Sequence, residues 1–338
     1  METGTSLGRQ DMRHPLAPLA LLAVMSTPLL AQSTVLVSDG TGDKIVRFEY
    51  PSGDPINHFV GAGITQMNNA NGMTIGPDGD LYVASNWSNR VFKFEGRTGR
   101  PLGEFVQEGS GGLSEPDWLV FGPDGNLYVT SVNNHQVLRY DGQTGEFIDA
   151  FVPDGSGSLS YPRGLAFSPI DGDLYVTSTG NNKVLRYDGQ TGSFLGEVIG
   201  SRELDLNKPH DLIFDEDGTL YVASYASNQV LIVPPGGEPE VLIAGTGGLD
   251  GPNGLAIHPD DGSLLVTSWN DNGKVIRYDK DTGEFLGVFL DPFAGGLGGN
   301  PRDVLFLPDP CLADFNQDKI VDTRDMIAFL NAWTAGCP

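Results

Sequence analysis

The chain has 338 residues, with 44 acidic and 20 basic side chains and a formal net charge of −24; 39% of it is hydrophobic, and it carries 46 glycines and 23 prolines. So negative a surface excludes nucleic acid and anionic membrane surfaces as partners, since both repel it. Abundant Gly and Pro with few long helical patterns exclude a helical bundle and suit a domain of many short strands.

The amino terminus reads as an export signal. Arg13 and His14 precede an apolar run from Pro15 to Leu30 that ends in Leu29-Leu30-Ala31, so cleavage is expected after Ala31. Glu2 and Asp11 are unusual in the charged region of a signal, which makes Met12 an alternative start. Pro15, Pro18 and Pro28 and the short run argue against a membrane helix, so no span is expected after cleavage. The expected localisation is secreted or cell-surface associated.

From residue 32 to residue 308 the sequence repeats itself. An Asp-Gly turn leading to Leu-Tyr-Val-x-Ser or a close variant starts at Asp78, Asp124, Asp171, Asp217 and Asp261, with gaps of 46, 47, 46 and 44 residues. A fixed period in this range marks a radial or stacked repeat architecture. Each unit follows one plan. A short apolar strand (Leu119-Val120-Phe121 is typical) meets a Pro-Asp-Gly turn and a second strand (Leu127-Tyr128-Val129). An Asn-rich loop then leads to a third strand (Val137-Leu138-Arg139-Tyr140), and an Asp-Gly-Gln-Thr-Gly turn to a fourth (Phe147-Ile148). Alternating apolar runs between such turns are strand and hairpin signals, and four strands per unit make a propeller blade. Five full units lie between about Asn71 and Leu290. Thr34 to Phe59 supplies three more strands and Arg302 to Phe306 an orphan inner strand, so the termini share one blade. The expectation is an all-β, six-bladed propeller whose ring closure hides the edge strands.

The phrase from Pro252 to Ser268, Pro-x-Gly-Leu-Ala-x-x-Pro-Asp-Gly-x-Leu-Tyr-Val-x-Ser in outline, resembles NHL-type repeats and the related gluconolactonase/regucalcin-like propellers. That resemblance covers nearly the whole of residues 32–308. It implies the fold more than the function, because such scaffolds carry sensors, lyases, lactonases and binding platforms.

Repetition acts as an internal control: what recurs in every blade is scaffold, and what differs at equivalent positions is free to carry function. The starts of the inner strands and the loops between second and third strands share one rim, and the Asp-Gly turns face the other way. The variable ring is Asn71, Asp117, Arg163, His210, Asn253 and Arg302, followed by Gly72, Trp118, Gly164, Asp211, Gly254 and Asp303. In gluconolactonase-like propellers this ring holds a divalent metal that polarises a lactone carbonyl and activates water. The resemblance implies Asn71, Asp117 and Asn253 as ligands here, with Asp211 and Asp303 as further oxygen donors. Two alternatives stay open. Arg163 and Arg302 hold an anionic ligand bidentately, or they pair with Asp117, Asp211 or Asp303 as plain channel salt bridges.

A histidine-ligated metal, as in alpha-amidating lyases of similar fold, would need more than His210 at the ring. His135 lies in a nearby loop, His258 toward the opposite face and His58 on an outer strand. Neither a His-Glu-x-x-His motif nor a Gly-x-x-x-x-Gly-Lys phosphate loop occurs. Trp87 and Trp269, in loops between second and third strands, and Trp118, at an inner-strand start, are expected on the rim face with Tyr225. Aromatics flanked by Asn suit stacking on sugar rings; blade-to-blade packing is the alternative.

After Pro308 the pattern changes, which sets residues 309–338 apart as a tail. Asp314, Asn316, Asp318, Asp322 and Asp325 occupy ligand positions of a calcium loop, with the Ile320 carbonyl between them. Lys319 stands where such loops usually have glycine. Met326, Ile327, Phe329, Leu330 and Trp333 form the apolar face of a following helix, which Gly336 stops. The segment resembles one repeat of a dockerin, where two are usual, and implies bound Ca²⁺. Cys311 and Cys337, the chain's two cysteines, read as one disulfide in an exported protein, closing a loop that contributes about 3.5 kcal/mol.

The preferred reading is an exported propeller that binds a glycan or protein ligand on its rim face and is anchored by a Ca²⁺-binding tail. The alternative is a metal-dependent lactone hydrolase.

Overall fold

The computed structural model describes Met1 and residues 33–307, except Ile64, Arg202, Asp260, Asp271 and Asn272. The export signal falls on residues outside these. So does the tail, with Asp314, Asn316, Asp318, Ile320, Asp322, Asp325, Cys311 and Cys337.

Short apolar segments separated by turns that require a left-handed residue have one way to pair, which is with their sequence neighbours. In the Asp78 turn, Gly79 sits at φ 80° and its N–H donates to the Gly76 carbonyl, while the Asp78 carboxylate accepts the Asp80 N–H. The Tyr82 hydroxyl donates back to Asp78, and Tyr128 does the same to Asp124. These Asp-Gly turns are scaffold, as the repeat predicts.

The result is six sheets of four antiparallel strands. The inner strands are Ala70–Ile75 (blade one), Pro116–Phe121 (two), Pro162–Phe167 (three), Pro209–Phe214 (four), Pro252–Ile257 (five) and Pro301–Leu307 (six). Blade six combines Pro301–Leu307 with Thr34–Asp39, Lys44–Glu49 and Pro55–Val60, in the register Thr34 opposite Leu307 and Val37 opposite Val304. The shared blade read from the sequence is therefore present. Each inner strand begins one residue before the variable ring position, on Ala70 in blade one and on a proline in the other five blades.

Apolar clusters lie between successive blades. Ala84 and Val91 of blade one, for example, pack with Leu119, Leu127 and Val129 of blade two, and burying each aliphatic side chain contributes about 1.5–3 kcal/mol. Tyr140, Tyr187 and Tyr278 lie at or next to the ends of their third strands, fully buried, and their hydroxyls donate to the carbonyls of Ser110, Ser156 and Thr246 in the loops entering those blades.

Two further devices fix the loops that lead into the inner strands. The serine that closes each Leu-Tyr-Val-x-Ser phrase accepts an N–H from the entering loop: Ser85 from Asn68 at 2.8 Å, Ser131 from Ser114 at 3.0 Å, Ser178 from Ser160 at 2.9 Å and Ser224 from Asn207 at 3.0 Å. The next residue is latched to the preceding blade. Asn69, Glu115, Tyr161, Lys208 and Gly251 donate their N–H to side chains of Asp43, Asn89, His135, Asn182 and Asn228, over 2.6–2.9 Å. Donor and acceptor residues alike are left-handed, with φ between 49° and 67°. The Asn-rich loops are thus turn chemistry, and also the fasteners between blades.

Candidate functional site

The ring residues follow directly on these latches, so their backbones are held before their side chains interact. Hydroxyls of the preceding blade add a further tie: Ser38 to the Asn71 carbonyl at 2.8 Å, Thr177 to His210 at 2.7 Å and Thr267 to Arg302 at 3.2 Å.

The structure brings the ring residues together as a bonded layer, with Asn71, Asp117 and Arg163 in one set, His210 and Asn253 in another, and Arg302 set against Trp269. Asp117 is fully buried. The Asn71 side-chain amide donates to its Oδ1, Asn86 Nδ2 approaches the same oxygen at 3.4 Å, and Arg163 Nη1 binds Oδ2 at 2.7 Å. His210 Nδ1 lies 2.8 Å from Asn253 Oδ1, which places the imidazole proton on Nδ1. The Arg302 guanidinium lies over the Trp269 ring, 3.6 Å from its centroid, and reaches Asn69 Oδ1 at 3.4 Å. Burial holds His210 well below the usual imidazole range, reinforced by the positive charge of Arg163, so His210 is neutral at pH 7. Burial also pushes Arg302 down, to about 10, which leaves it charged at pH 7.

Asp211 and Asp303 face a different task. Asp211 accepts the N–H groups of Leu212 and, across the blade boundary, Leu255; Asp303 accepts those of Val304 and Met73. Neither pairs with an arginine among the described residues.

Most of the side chains implied as metal ligands are engaged with one another, and the Asn71 Oδ1 is left without a partner. Asn71 presents its amide N–H, not its oxygen, to Asp117, whose other oxygen is taken by Arg163. Asn253 Oδ1 is engaged by His210. Arg163 stands on Asp117 and Arg302 over Trp269, and among the described residues no group of three or more His, Cys, Asp and Glu is placed to hold a metal ion. Of the sequence readings, the salt bridge is present for Arg163 with Asp117. His58, His135 and His258 do not converge with His210. His58 bonds the Gly295 carbonyl, His135 serves as a latch in place of Asn, and His258 stacks on Tyr50 at 4.3 Å.

Beside the layer lies a cup of about 460 Å³ between blades three, four and five. Its wall includes Arg163, Lys208, His210, Tyr161, Tyr225 and Trp269, with Asn and Thr side chains between them and no carboxylate. The His210 and Tyr225 rings stack at 4.5 Å, within 5° of parallel, and Trp269 lies 5.4 Å from Tyr225. The Tyr225 hydroxyl donates to Asn270. Two cations and a row of ring faces can hold a planar or ring-shaped anion.

The tryptophans divide. Trp269 is on the cup, and Trp87 stands exposed in its loop. Trp118 is not on the rim: it is buried, packs with Tyr128 and Leu165, and lines the channel on the far side. Strand alternation explains this, because Trp118 follows the ring position and points the other way. Tyr161 and Lys208 were missed in the sequence. Their left-handed backbones aim them at the cup, and the signal was a residue just before proline at equivalent repeat positions.

No protein-family model matches the sequence, and no curated protein matches it either. Solved structures do. A chain of the nidogen/laminin complex superposes with TM-score 0.63 at 17% identity, over 82% of this chain and 99% of that one. Virginiamycin B lyase from Staphylococcus aureus gives 0.56 at 17%, over 75% and 82%. A protein of unknown function from Bacteroides caccae gives 0.59 at 16%, over 82% and 99%. At such identities the likeness establishes the propeller fold alone.

Proposed function

We propose that this propeller is a binding module and that its cup takes an acidic saccharide. One observation carries the reading. In a chain of net charge −24, the cup wall presents Arg163 and Lys208 beside three aromatic side chains and no carboxylate. Arginine and lysine hold a carboxylate, and Trp269 and Tyr225 offer faces for sugar rings. Structural neighbours within a protein complex and among lyases are compatible with binding and with catalysis; the cup chemistry supports the binding reading. The hydrolase alternative needs a cation at Asp117, whose Oδ2 already binds Arg163.

Calorimetric titration with a uronic-acid oligosaccharide and a neutral one of equal length tests the reading. The acidic ligand binds at least tenfold tighter, and both Lys208→Ala and Trp269→Ala weaken it. Equal affinity for the two ligands overturns the proposal.

The tail completes the proposal as an exported module tethered through a Ca²⁺ loop. Its support is the ligand spacing from Asp314 to Asp325 and the flanking Cys311 and Cys337. Equilibrium dialysis of the whole protein against Ca²⁺ should find one bound ion, lost on Asp318→Ala; no bound ion removes this part of the reading.

A further inference from the structure

The channel on the far side of the ring layer has the opposite character from the cup. It is a cavity of about 600 Å³, walled by all six inner strands and reaching the turn residues Asp215 and Glu216 at its outer end. Its sides are apolar, with Trp118, Phe167, Phe214 and Phe306 among the larger groups. The inner-strand ends Val120, Phe121, Ala166, Phe167, Ile213, Phe214, Leu305 and Phe306 are half-buried, so the cavity is open to solvent there. At the other end of the same strands Asn71, Asp117, His210, Asn253 and Arg302 lie buried, three or four residues upstream of those ends.

At that end sit Asp211 and Asp303, 2% and 4% exposed. Each carboxylate oxygen has one backbone N–H donor, at 2.8 and 2.9 Å for Asp211 and 2.7 Å for both oxygens of Asp303. An ionised carboxylate accepts about twice that many hydrogen bonds. Neither is paired with a basic side chain among the described residues. Every charged group on the channel wall is acidic: these two, and Asp215 and Glu216 at the mouth, where Lys280 pairs with Asp215. Burial pushes both inner carboxyls up, and for Asp211 the charge of Asp303 adds to it. Two buried carboxyls without a counter-ion are costly unless a cation or a shared proton joins them.

We propose that the channel is a second binding site, one that takes a protonated amine carried on an apolar, ring-sized body. The ammonium group would fill the free lone pairs of Asp211 and Asp303, and the apolar body would contact the walls. A cavity of this volume suits a small organic molecule. An anion is repelled by the wall, and a neutral molecule gains only the apolar contact. This inference does not depend on the cup, since the ring layer separates the two.

The test is calorimetry on the full chain with 2-phenylethylamine, 2-phenylethanol and 3-phenylpropanoate at pH 7. The amine binds at least tenfold tighter than the alcohol, and the acid binds weakest. Asp303→Asn keeps the size and one acceptor oxygen; it weakens the amine about tenfold and leaves the alcohol unchanged. Should that variant fail to fold, Asp211→Asn and the ranking of the three probes on the unaltered protein decide. Equal binding of amine and alcohol, no binding of any probe, or an amine insensitive to both substitutions overturns the proposal.

Discussion

Asp117 joins two blades to a third, and its removal tests whether the ring is a structural layer. Asp117→Ala leaves the Asn71 amide and the Arg163 guanidinium without their acceptor, while Asn86 keeps the Pro116 carbonyl. Breaking a buried ion pair on one side costs about 3–5 kcal/mol. The Arg163 side chain keeps 27% exposure, so water compensates part of the loss and the expected cost is about 3 kcal/mol. At about 2–4 °C per kcal/mol for a domain of this size, the melting temperature falls by roughly 10 °C. Arg163→Met strands the carboxylate instead and costs about 3 kcal/mol. Because one contact is lost in both, the double variant costs less than the sum by about 2 kcal/mol. Urea denaturation followed by tryptophan fluorescence measures all four corners of the cycle. Additivity within 0.5 kcal/mol, or a cost below about 1 kcal/mol for Asp117→Ala, refutes the layer.

The channel carboxyls make stability depend on pH in a definite direction. A raised carboxyl contributes stability that is present below the unfolded value of about 4 and is lost as pH rises through the folded value. The native protein should therefore lose more stability between pH 5 and pH 7.5 than Asp303→Asn does, as urea midpoints will show; an equal loss contradicts the shift. Glycines of one blade should differ sharply. A methyl at Gly142 would meet the Gly125 carbonyl oxygen at 1.8 Å, so Gly142→Ala costs about 3 kcal/mol. Gly125 has φ 77° and open space around it, so Gly125→Ala costs about 1 kcal/mol in thermal or chemical melts. His135 stands at a latch position that is Asn in three blades. His135→Asn should leave the melting temperature within 2 °C while His135→Ala costs about 1 kcal/mol, a difference that calorimetry resolves.

The fold was legible because its signals are local and repeated. Each Asp-Gly turn specifies a hairpin, each Leu-Tyr-Val-x-Ser phrase a buried strand with a serine to hold the loop that enters its blade, and the period counts the blades. Even the orphan strand from Arg302 to Phe306 found its partner at Thr34–Asp39, because an unpaired inner strand must close the ring. The ring residues were also found from their variation between blades. Their mutual bonding was not visible, since Asn71, Asp117 and Arg163 come from three different blades and nothing local couples them. The rim placement of Trp118 failed on a one-residue alternation in side-chain direction. Tyr161 and Lys208 escaped notice because left-handed geometry at such residues comes from the latch of the preceding blade, not from their own preference.

The most direct test of the account is a structure of the protein bound to a uronic-acid oligosaccharide. It should place a carboxylate within hydrogen-bond reach of Arg163 or Lys208 and a sugar ring against Tyr225 or Trp269. A ligand bound elsewhere on the propeller, with the cup filled only by water, would contradict it.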